Sequence, residues 1–304
     1  MSVVGDLILG TLLIVGVLVG VAFLTLFERS VLGYIQIRSA PVVVGFSGIL
    51  QPFSDAAKLF LSGGVSLMWG NMGMFILAPL GGLGLSLLLW MVYPLGGGLF
   101  DFSLGVLFFL VCSSLGVYGI MLAGWASNSK YSLLGSYRAV AQTISYEVSM
   151  MLILLVVSMT GGSYDFVDYI WEVWMLWGWL GLFFMWGVTC VAELNRTPFD
   201  FSEGESELVS GFNVEYSGGV FALIFISEYS NIMLMGLVSV LVFLGGSYLP
   251  LSVVGVVFWV VWVRGVFVRY RYDFMMMLIW KGLLPVVMGM LVASVAAVGV
   301  ENFV

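Results

Sequence analysis

The sequence contains no histidine and only two cysteines, Cys112 and Cys190, which lie far apart in apolar surroundings. Zinc, haem and iron–sulfur sites use histidine or closely spaced cysteine ligands, such as a C-x-x-C pair, and the chain has neither arrangement. We therefore predict no metal site and expect the chain to carry no redox centre of its own. Both cysteines are interpreted as small buried apolar side chains.

Charged residues are also scarce, at 9% of the 304 residues, whereas 62% are hydrophobic and the mean hydropathy is +1.13. Soluble domains contain roughly 45–50% apolar residues. A helix needs about 20 consecutive apolar residues to cross a membrane, and eight segments meet this requirement without the alternation expected of barrel strands. The sequence predicts an all-α integral membrane protein, a single transmembrane domain over residues 1–304, with spans at about 4–27, 67–93, 102–126, 137–160, 171–192, 217–244, 250–268 and 282–300.

The basic residues sort to one side of this arrangement. All ten lysines and arginines fall in the loops 28–66, 127–136, 193–216 and 269–281, or at the helix ends beside them. The charged residues in the loops of the opposite side are all acidic. Because positively charged loops stay on the inner side of a membrane, we predict that both chain termini lie outside and these four loops inside.

The end of the first span and the loop after it combine charge with helical periodicity. Glu28 and Arg29 follow the apolar run at once, and apolar residues keep the helical period through Ile35, so we expect the helix to project beyond the membrane. In segment 49–60, Pro52 suits a first helical turn and apolar side chains share one face, which predicts an amphipathic helix at the interface. Glu28 and Arg29 either face the bundle and join a polar site or only mark the membrane boundary. The amphipathic helix could likewise serve only to anchor the loop. The first segment lacks a basic start and a cleavage site, so we expect a retained span rather than a signal peptide.

Two carboxylates fall inside predicted spans. Glu147, preceded by Tyr146, lies about ten residues from the inner end of its span, and Glu228 about eleven from the inner end of another. A charge at the bilayer centre costs about 2.5–3.5 kcal/mol on insertion scales, so such residues are functional candidates, most often in proton relays. The alternative is a carboxylate paired structurally with arginine or tyrosine.

The segment 193–216 concentrates acidic residues with apolar side chains between them. The sequence Ser202 to Glu205 fits a capping box that opens a short helix through about Val209. Glu203 and Glu207 would then share one face. If the helix is buried in a complex, burial and mutual repulsion would raise the carboxyl pKa values toward the working pH. A solvated acidic loop is the alternative.

Basic residues accompany these acids. Arg196 lies within the segment, and Arg269, Arg271 and Lys281 follow in the last inner loop. We predict that these basic residues line the inner mouth of a cavity that also contains the acids, and that they balance the acidic charge there. The alternative is that they only set the topology.

Several motifs, taken in order along nearly the whole chain, resemble those of subunit 1 of NADH:ubiquinone oxidoreductase, respiratory complex I. The most specific is the stretch from Ala192 to Leu208, which begins AELNRTPFD and continues to EGESEL. The others are Glu28 to Tyr34, Leu50 to Leu59, Ser145 to Glu147 and Arg269 to Asp273. The chain is identified as a member of this family on these residues.

The resemblance implies a function for individual residues. It implies a subunit at the heel of the membrane arm that forms the quinone-access channel and the acidic start of the proton-translocation path. The channel residues would be Glu28, Arg29, Arg38, Asp55, Phe199, Asp200, Arg269 and Arg271. The proton-coupling residues would be Tyr146, Glu147, Glu193, Glu203, Glu205, Glu207, Glu215 and Glu228, with Arg196 and Lys281 as counter-charges.

The resemblance also implies partners and a location. Ubiquinone would be the substrate, and NADH, FMN and the iron–sulfur clusters would be held by other subunits of complex I. Lipids would surround the chain, and no nucleic acid is expected. Scarce residues with A/C-rich codons, such as three lysines and seven prolines, suggest an organellar gene and hence the mitochondrial inner membrane, although a bacterial plasma membrane stays possible.

Two other functions fit parts of the sequence. A free-standing proton or cation transporter would also place acids at the membrane midplane. It would show an inverted repeat, and residues 1–150 and 151–304 do not correspond. The homologous subunit of a membrane-bound hydrogenase would have the same fold without a quinone.

Overall fold

The computed structural model describes residues 3–41, 43–64, 70–94, 102–169, 179–202, 204–246 and 249–301. Regular secondary structure within these ranges is helical, which confirms the predicted all-α class. The helices are α1 (Val3–Ile35), α2 (Gln51–Leu61), α3 (Met72–Leu89), α4 (Gly105–Ala126), α5 (Lys130–Gly161), α6 (Phe166–Tyr169), α7 (Leu180–Glu193), α8 (Glu205–Leu208), α9 (Gly218–Ser239), α10 (Leu249–Val266), α11 (Tyr272–Met277) and α12 (Leu284–Glu301). The π-helical turn Val240–Leu244 extends α9, and a second one, Leu278–Leu283, joins α11 to α12.

Seven helical stretches among the described residues are long and apolar enough to cross a membrane. They coincide with seven of the eight predicted spans. At the predicted fifth span the structure has α7, an apolar helix of 14 residues. Residues 171–178, the first part of that prediction, lie outside the described residues. The count of eight and the outer position of both termini therefore stay predictions.

Helices α1 and α5 extend well beyond their apolar segments. α1 has 33 residues, or about 50 Å at the usual rise per residue, compared with a hydrocarbon core of about 30 Å. It continues past Glu28, as predicted. α5 begins at Lys130 rather than at residue 137, because the Ser129 hydroxyl caps it by accepting a hydrogen bond from the Ser132 N–H at 3.4 Å.

Most of the predicted inner loop 269–281 is helical. The helix begins at Tyr272 and runs through the π turn into α12. The apolar run from Phe274 to Trp280 continues the helical pattern, and the single charge of Lys281 does not interrupt it. Only the start of the predicted loop remains non-helical.

Helix α2 is the predicted amphipathic helix, and its existence is confirmed. Pro52 occupies its first turn, and its apolar and polar side chains separate onto two faces. The helix packs against α1 and α9, and the rings of Phe53 and Phe23 meet edge to face with centroids 6.1 Å apart. Its place at the membrane interface stays a prediction.

Helix α5 organises the packing around the polar residues described below. It packs against α4, α7, α12 and the short turn Gly211–Asn213. Near its second half the fully buried Trp186 donates its indole N–H to Ser239 Oγ at 2.8 Å and packs against Phe243. Its first half approaches the acidic segment so closely that only a residue without a side chain fits at position 135.

We predict that Gly135→Ala loosens the acidic segment. A Cβ atom at this position would lie 2.9 Å from the Cα and carbonyl carbon of Gly211 and from the Phe212 nitrogen, which are backbone atoms that cannot rotate away. Overpacking of this kind typically destabilises a protein by about 1–3 kcal/mol. The thermal unfolding midpoint of the purified protein should fall, and proteolysis near Gly211 should become faster.

The matched control is Gly81→Ala in α3, where a Cβ atom would meet nothing within 4 Å. This variant should keep or slightly raise the midpoint, because alanine is the better helix former. Equal midpoints for the two variants would contradict the close approach of α5 to Gly211.

Candidate functional site

A cavity of about 130 Å³ lies between α3, α4, α5, α7 and α9. Small residues such as Gly82 and Gly116 on α3 and α4 leave its space open, while α5, α7 and α9 supply polar side chains. The polar lining includes Glu147, Glu193, Glu228, Tyr146, Thr143, Asn195, Ser202, Ser227 and Asn231. The structure thus brings the two acids of the predicted spans together with the first acid of the acidic segment.

Two buried polar atoms on the cavity wall, Asn195 Oδ1 and Asn231 Oδ1, have no hydrogen-bond partner among the described residues. The buried Tyr146 hydroxyl and Glu193 carboxylate lie side by side and interact with each other. Buried polar groups are normally bonded to protein or to water, and a water molecule needs roughly 10–15 Å³ of such a cavity. The cavity therefore has the size and lining of a hydrated chamber.

Arg196 stands at the edge of this cavity and is itself buried. Its Nη2 lies 3.4 Å from Glu228 Oε2, and its side chain is only 7% exposed. Its guanidinium carbon lies 4.8 Å from the centre of the Tyr229 ring, a cation–π distance. The preceding Asn195 has a φ of 47°, in the left-handed region that turns the chain out of α7. The predicted counter-charge is therefore placed against Glu228.

Gln142 holds this turn in position. Its side-chain amide donates to the Ala192 carbonyl at 3.0 Å and to the Phe199 carbonyl at 2.9 Å, and it is fully buried in α5. One side chain thus satisfies backbone groups on both sides of the turn. The start of the acidic segment is fixed to the helix that carries Glu147.

Glu28 and Arg29 are neighbours in sequence with different surroundings. Glu28 is 5% exposed; its Oε1 pairs with the Arg264 guanidinium, and its Oε2 accepts a hydrogen bond from the Tyr229 hydroxyl at 2.6 Å. Arg29 is half-exposed and pairs with Asp55 of α2. Glu28 therefore faces the bundle, and Arg29 ties the end of α1 to the amphipathic helix.

The acidic segment differs from its prediction. Helix α8 has four residues and begins after Gly204, whose backbone is left-handed at a φ of 32°. Ser202 does not cap the helix, so the predicted capping box is wrong. Glu203 and the side chain of Glu205 lie outside the described residues. The shared helical face of Glu203 and Glu207 therefore stays a prediction.

Glu207 is exposed and lies among cations. It forms an ion pair with Arg138. The hydrogen bond from Arg138 lowers the pKa of the Glu207 carboxyl, and the charges of Arg138, Arg269 and Arg271 lower it further. In this chain arginines rather than other acids dominate the surroundings of this carboxyl, and the raised pKa expected for a helix buried in the complex stays a prediction.

The remaining predicted residues surround these groups. The Phe199 ring lies 5.9 Å from that of Tyr270, whose N–H donates to the Pro198 carbonyl at 3.1 Å. Arg271 also pairs with Asp273 at 3.0 Å. Asp200 and Glu215 are half-buried, whereas Arg38 and Lys281 are exposed.

Sequence reasoning missed three polar residues of this site. Gln142 and Tyr229 were not singled out, and Arg264 was treated as a topological charge. The available signals were weak: Gln142 is a lone amide in an apolar span, and Tyr229 directly follows an intramembrane acid. Their contacts depend on which helices face each other, which no local pattern reveals.

Helices of membrane-crossing length, together with the shorter α7, surround a polar cavity with three carboxylates. This arrangement defines an integral membrane protein with an ionisable site between its helices. Residues 8–295 match the NADH dehydrogenase family. The chain belongs to that family, which confirms the resemblance found in the sequence motifs.

Two relatives illustrate the similarity. The chain is 54% identical over 297 residues to NADH-ubiquinone oxidoreductase chain 1 of Anopheles gambiae, an alignment that covers 94% of this chain and 92% of the relative. It is 48% identical over 301 residues to the protein of the same name from Paracentrotus lividus, with 94% and 93% covered.

We predict that Glu207→Gln lowers the stability of the folded protein at neutral pH but not at acidic pH. Because the pKa of Glu207 is lowered in the folded protein, its ion pair stabilises the fold above the ordinary carboxyl pKa, and this stabilisation is lost as pH falls toward the lowered pKa. At neutral pH the variant should be less stable than the wild type by no more than about 1 kcal/mol, since the pair is solvent-exposed. Thermal unfolding of the purified protein between neutral and acidic pH measures the difference.

Arg138→Gln serves as the matched control. It should produce a similar loss at neutral pH, and the double variant should lose less than the sum of the two single variants. A loss that persists at low pH, or strict additivity, would show that the ion pair does not stabilise the fold.

Proposed function

We propose that this chain is the subunit of an NADH:ubiquinone oxidoreductase that lines the quinone-access channel and begins the path of protonation changes toward the proton pumps. Relatives that carry the name of this enzyme's chain 1 support the reaction. The observation that supports the coupling function is the polar cavity shared by Glu147, Glu193 and Glu228. The reaction belongs to the assembled complex rather than to this chain alone.

The cavity acids suit a coupling function because they interact. Glu193 interacts electrostatically with Glu147 and with the Tyr146 hydroxyl. Groups that interact in this way titrate together, so a charge change on one shifts the others. Reduction of a quinone to a quinol takes up protons, and it thereby changes the charge that such groups experience. The acids assigned to this path are Glu147, Glu193, Glu203, Glu205, Glu207, Glu215 and Glu228.

The quinone channel lies, in this proposal, next to the buried Glu28. The end of α1 is held from the inside by Arg264 and Tyr229 and from the outside by the Arg29–Asp55 pair, so the helix end is a rigid wall. The side chains assigned to the channel are Glu28, Arg29, Arg38, Asp55, Phe199, Asp200, Arg269 and Arg271.

The electron carriers belong, in this proposal, to partner subunits. A chain without histidine and with two distant cysteines offers few ligands for a redox centre. NADH, FMN and iron–sulfur clusters are therefore assigned to other subunits of the complex, and the chain is assigned to the mitochondrial inner membrane among lipids. Residues 1–304 act as one transmembrane domain.

The test replaces Glu147 and Glu193 together by glutamine. If these carboxylates transfer protons, NADH-driven quinone reduction and proton pumping in inner membranes should both fall, by about 10²-fold or more if a proton-transfer step is lost. Native gels show whether the complex still assembles. The two activities are measured on the same membranes.

Asp168→Asn is the matched control. Asp168 is exposed and lies in α6, away from the cavity lining, so this variant should keep both activities. The proposal fails if the assembled double variant reduces quinone and pumps protons like the wild type.

A further inference from the structure

Tyr229 contacts two charged pairs with two different parts of its side chain. Its hydroxyl donates to Glu28 Oε2 at 2.6 Å, and Glu28 also pairs with Arg264. Its ring lies 4.8 Å from the Arg196 guanidinium, and Arg196 also pairs with Glu228. A continuous series of polar contacts therefore runs from α10 through α1 and α9 to the cavity.

Each contact in this series depends on charge. The Tyr229 hydroxyl donates more strongly to an ionised carboxylate than to a neutral one. The cation–π contact depends on where the Arg196 guanidinium sits over the ring, and the same guanidinium sets the field at Glu228. Among the described residues, the charged groups that face Tyr229 and its two partners include Glu28 of α1, Arg264 of α10, Arg196 of the turn after α7, and Glu228 of α9 itself.

We propose that Tyr229 is a positioning residue that couples the charge state of the Glu28–Arg264 pair to the Arg196–Glu228 pair at the cavity. This inference rests on the proposed function, in which Glu28 lies beside the quinone channel and Glu228 begins the proton path. A change of charge at Glu28 alters the hydroxyl contact, and the ring transmits this change to Arg196. Tyr229 does not line the cavity, and it acts through its neighbours.

The two halves of the side chain can be tested separately. Tyr229→Phe removes the hydroxyl that reaches Glu28 and keeps the ring beneath Arg196. Arg196→Lys keeps the charge beside Glu228 and weakens the planar contact with the ring. The second variant keeps the test possible if the first does not assemble.

The experiment is a double-mutant cycle in assembled complexes. The effect of Glu28→Gln on the rate of NADH-driven quinone reduction is measured with Glu228 present and again with Glu228→Gln. In the otherwise unchanged complex the two effects should differ by about threefold or more, as for residues of one contact network. With Tyr229→Phe, or with Arg196→Lys, the two effects should agree within about 1.5-fold.

Tyr216→Phe is the matched control. Its hydroxyl is also buried and bonds the Ala123 carbonyl at 3.4 Å, but its ring stacks on Phe75 and has no link to Glu28. This variant should leave the threefold difference intact. A merely structural Tyr229 would change all rates by the same factor and leave the difference unchanged.

Two negative outcomes have different meanings. If Glu28→Gln and Glu228→Gln each lower pumping, but Tyr229→Phe and Arg196→Lys leave the difference between their effects unchanged, the coupling through Tyr229 is wrong and the proposed function stands. If neither Glu28→Gln nor Glu228→Gln changes quinone reduction or pumping, both proposals are wrong.

Discussion

The guanidinium group of Arg196 lies in the interior of the protein, where an uncompensated cation is unfavourable by several kcal/mol. Compensation comes from the Glu228 carboxylate at 3.4 Å and the Tyr229 ring at 4.8 Å. Both groups belong to α9, whereas Arg196 belongs to the turn after α7. The need to compensate this one charge therefore fixes the turn against α9, and with it the wall of the cavity that Glu193 and Asn195 line.

The same constraint operates at Glu28, where three helices meet. A buried carboxylate requires donors, and it finds them in Arg264 of α10 and Tyr229 of α9. On the cavity wall, Glu193 interacts instead with the Tyr146 hydroxyl and with a second acid, Glu147. Ion-paired groups such as Glu28 hold neighbouring helices together. A carboxylate that interacts with another acid shares its changes of charge, as the proposed function requires.

Hydropathy predicted which segments are helical because a helix that crosses a membrane needs a run of about 20 apolar residues, and such a run is visible in the sequence itself. The helices begin before the predicted spans, at Lys130 and Tyr272, since a helix can continue into water wherever a cap or an apolar face supports it. Glu147 and Glu228 were found because acids inside spans are rare. Tyr229 was not, since a tyrosine in an apolar span is ordinary and its contacts depend on three other elements. The capping box failed because S-x-x-E is a local pattern that the left-handed Gly204 overrides.

The acids of segment 193–216 look equivalent in sequence but occupy unlike surroundings. Glu207 is exposed beside Arg138 and has a lowered pKa, so it stays ionised at neutral pH. An ionised carboxylate among arginines sets a field and holds the segment in place. Glu193, at the other end of the segment, lies on the cavity wall beside Tyr146. The two acids therefore suit different parts of the proposed path: Glu193 faces the other acids of the cavity, and Glu207 contributes to the charge that the segment experiences.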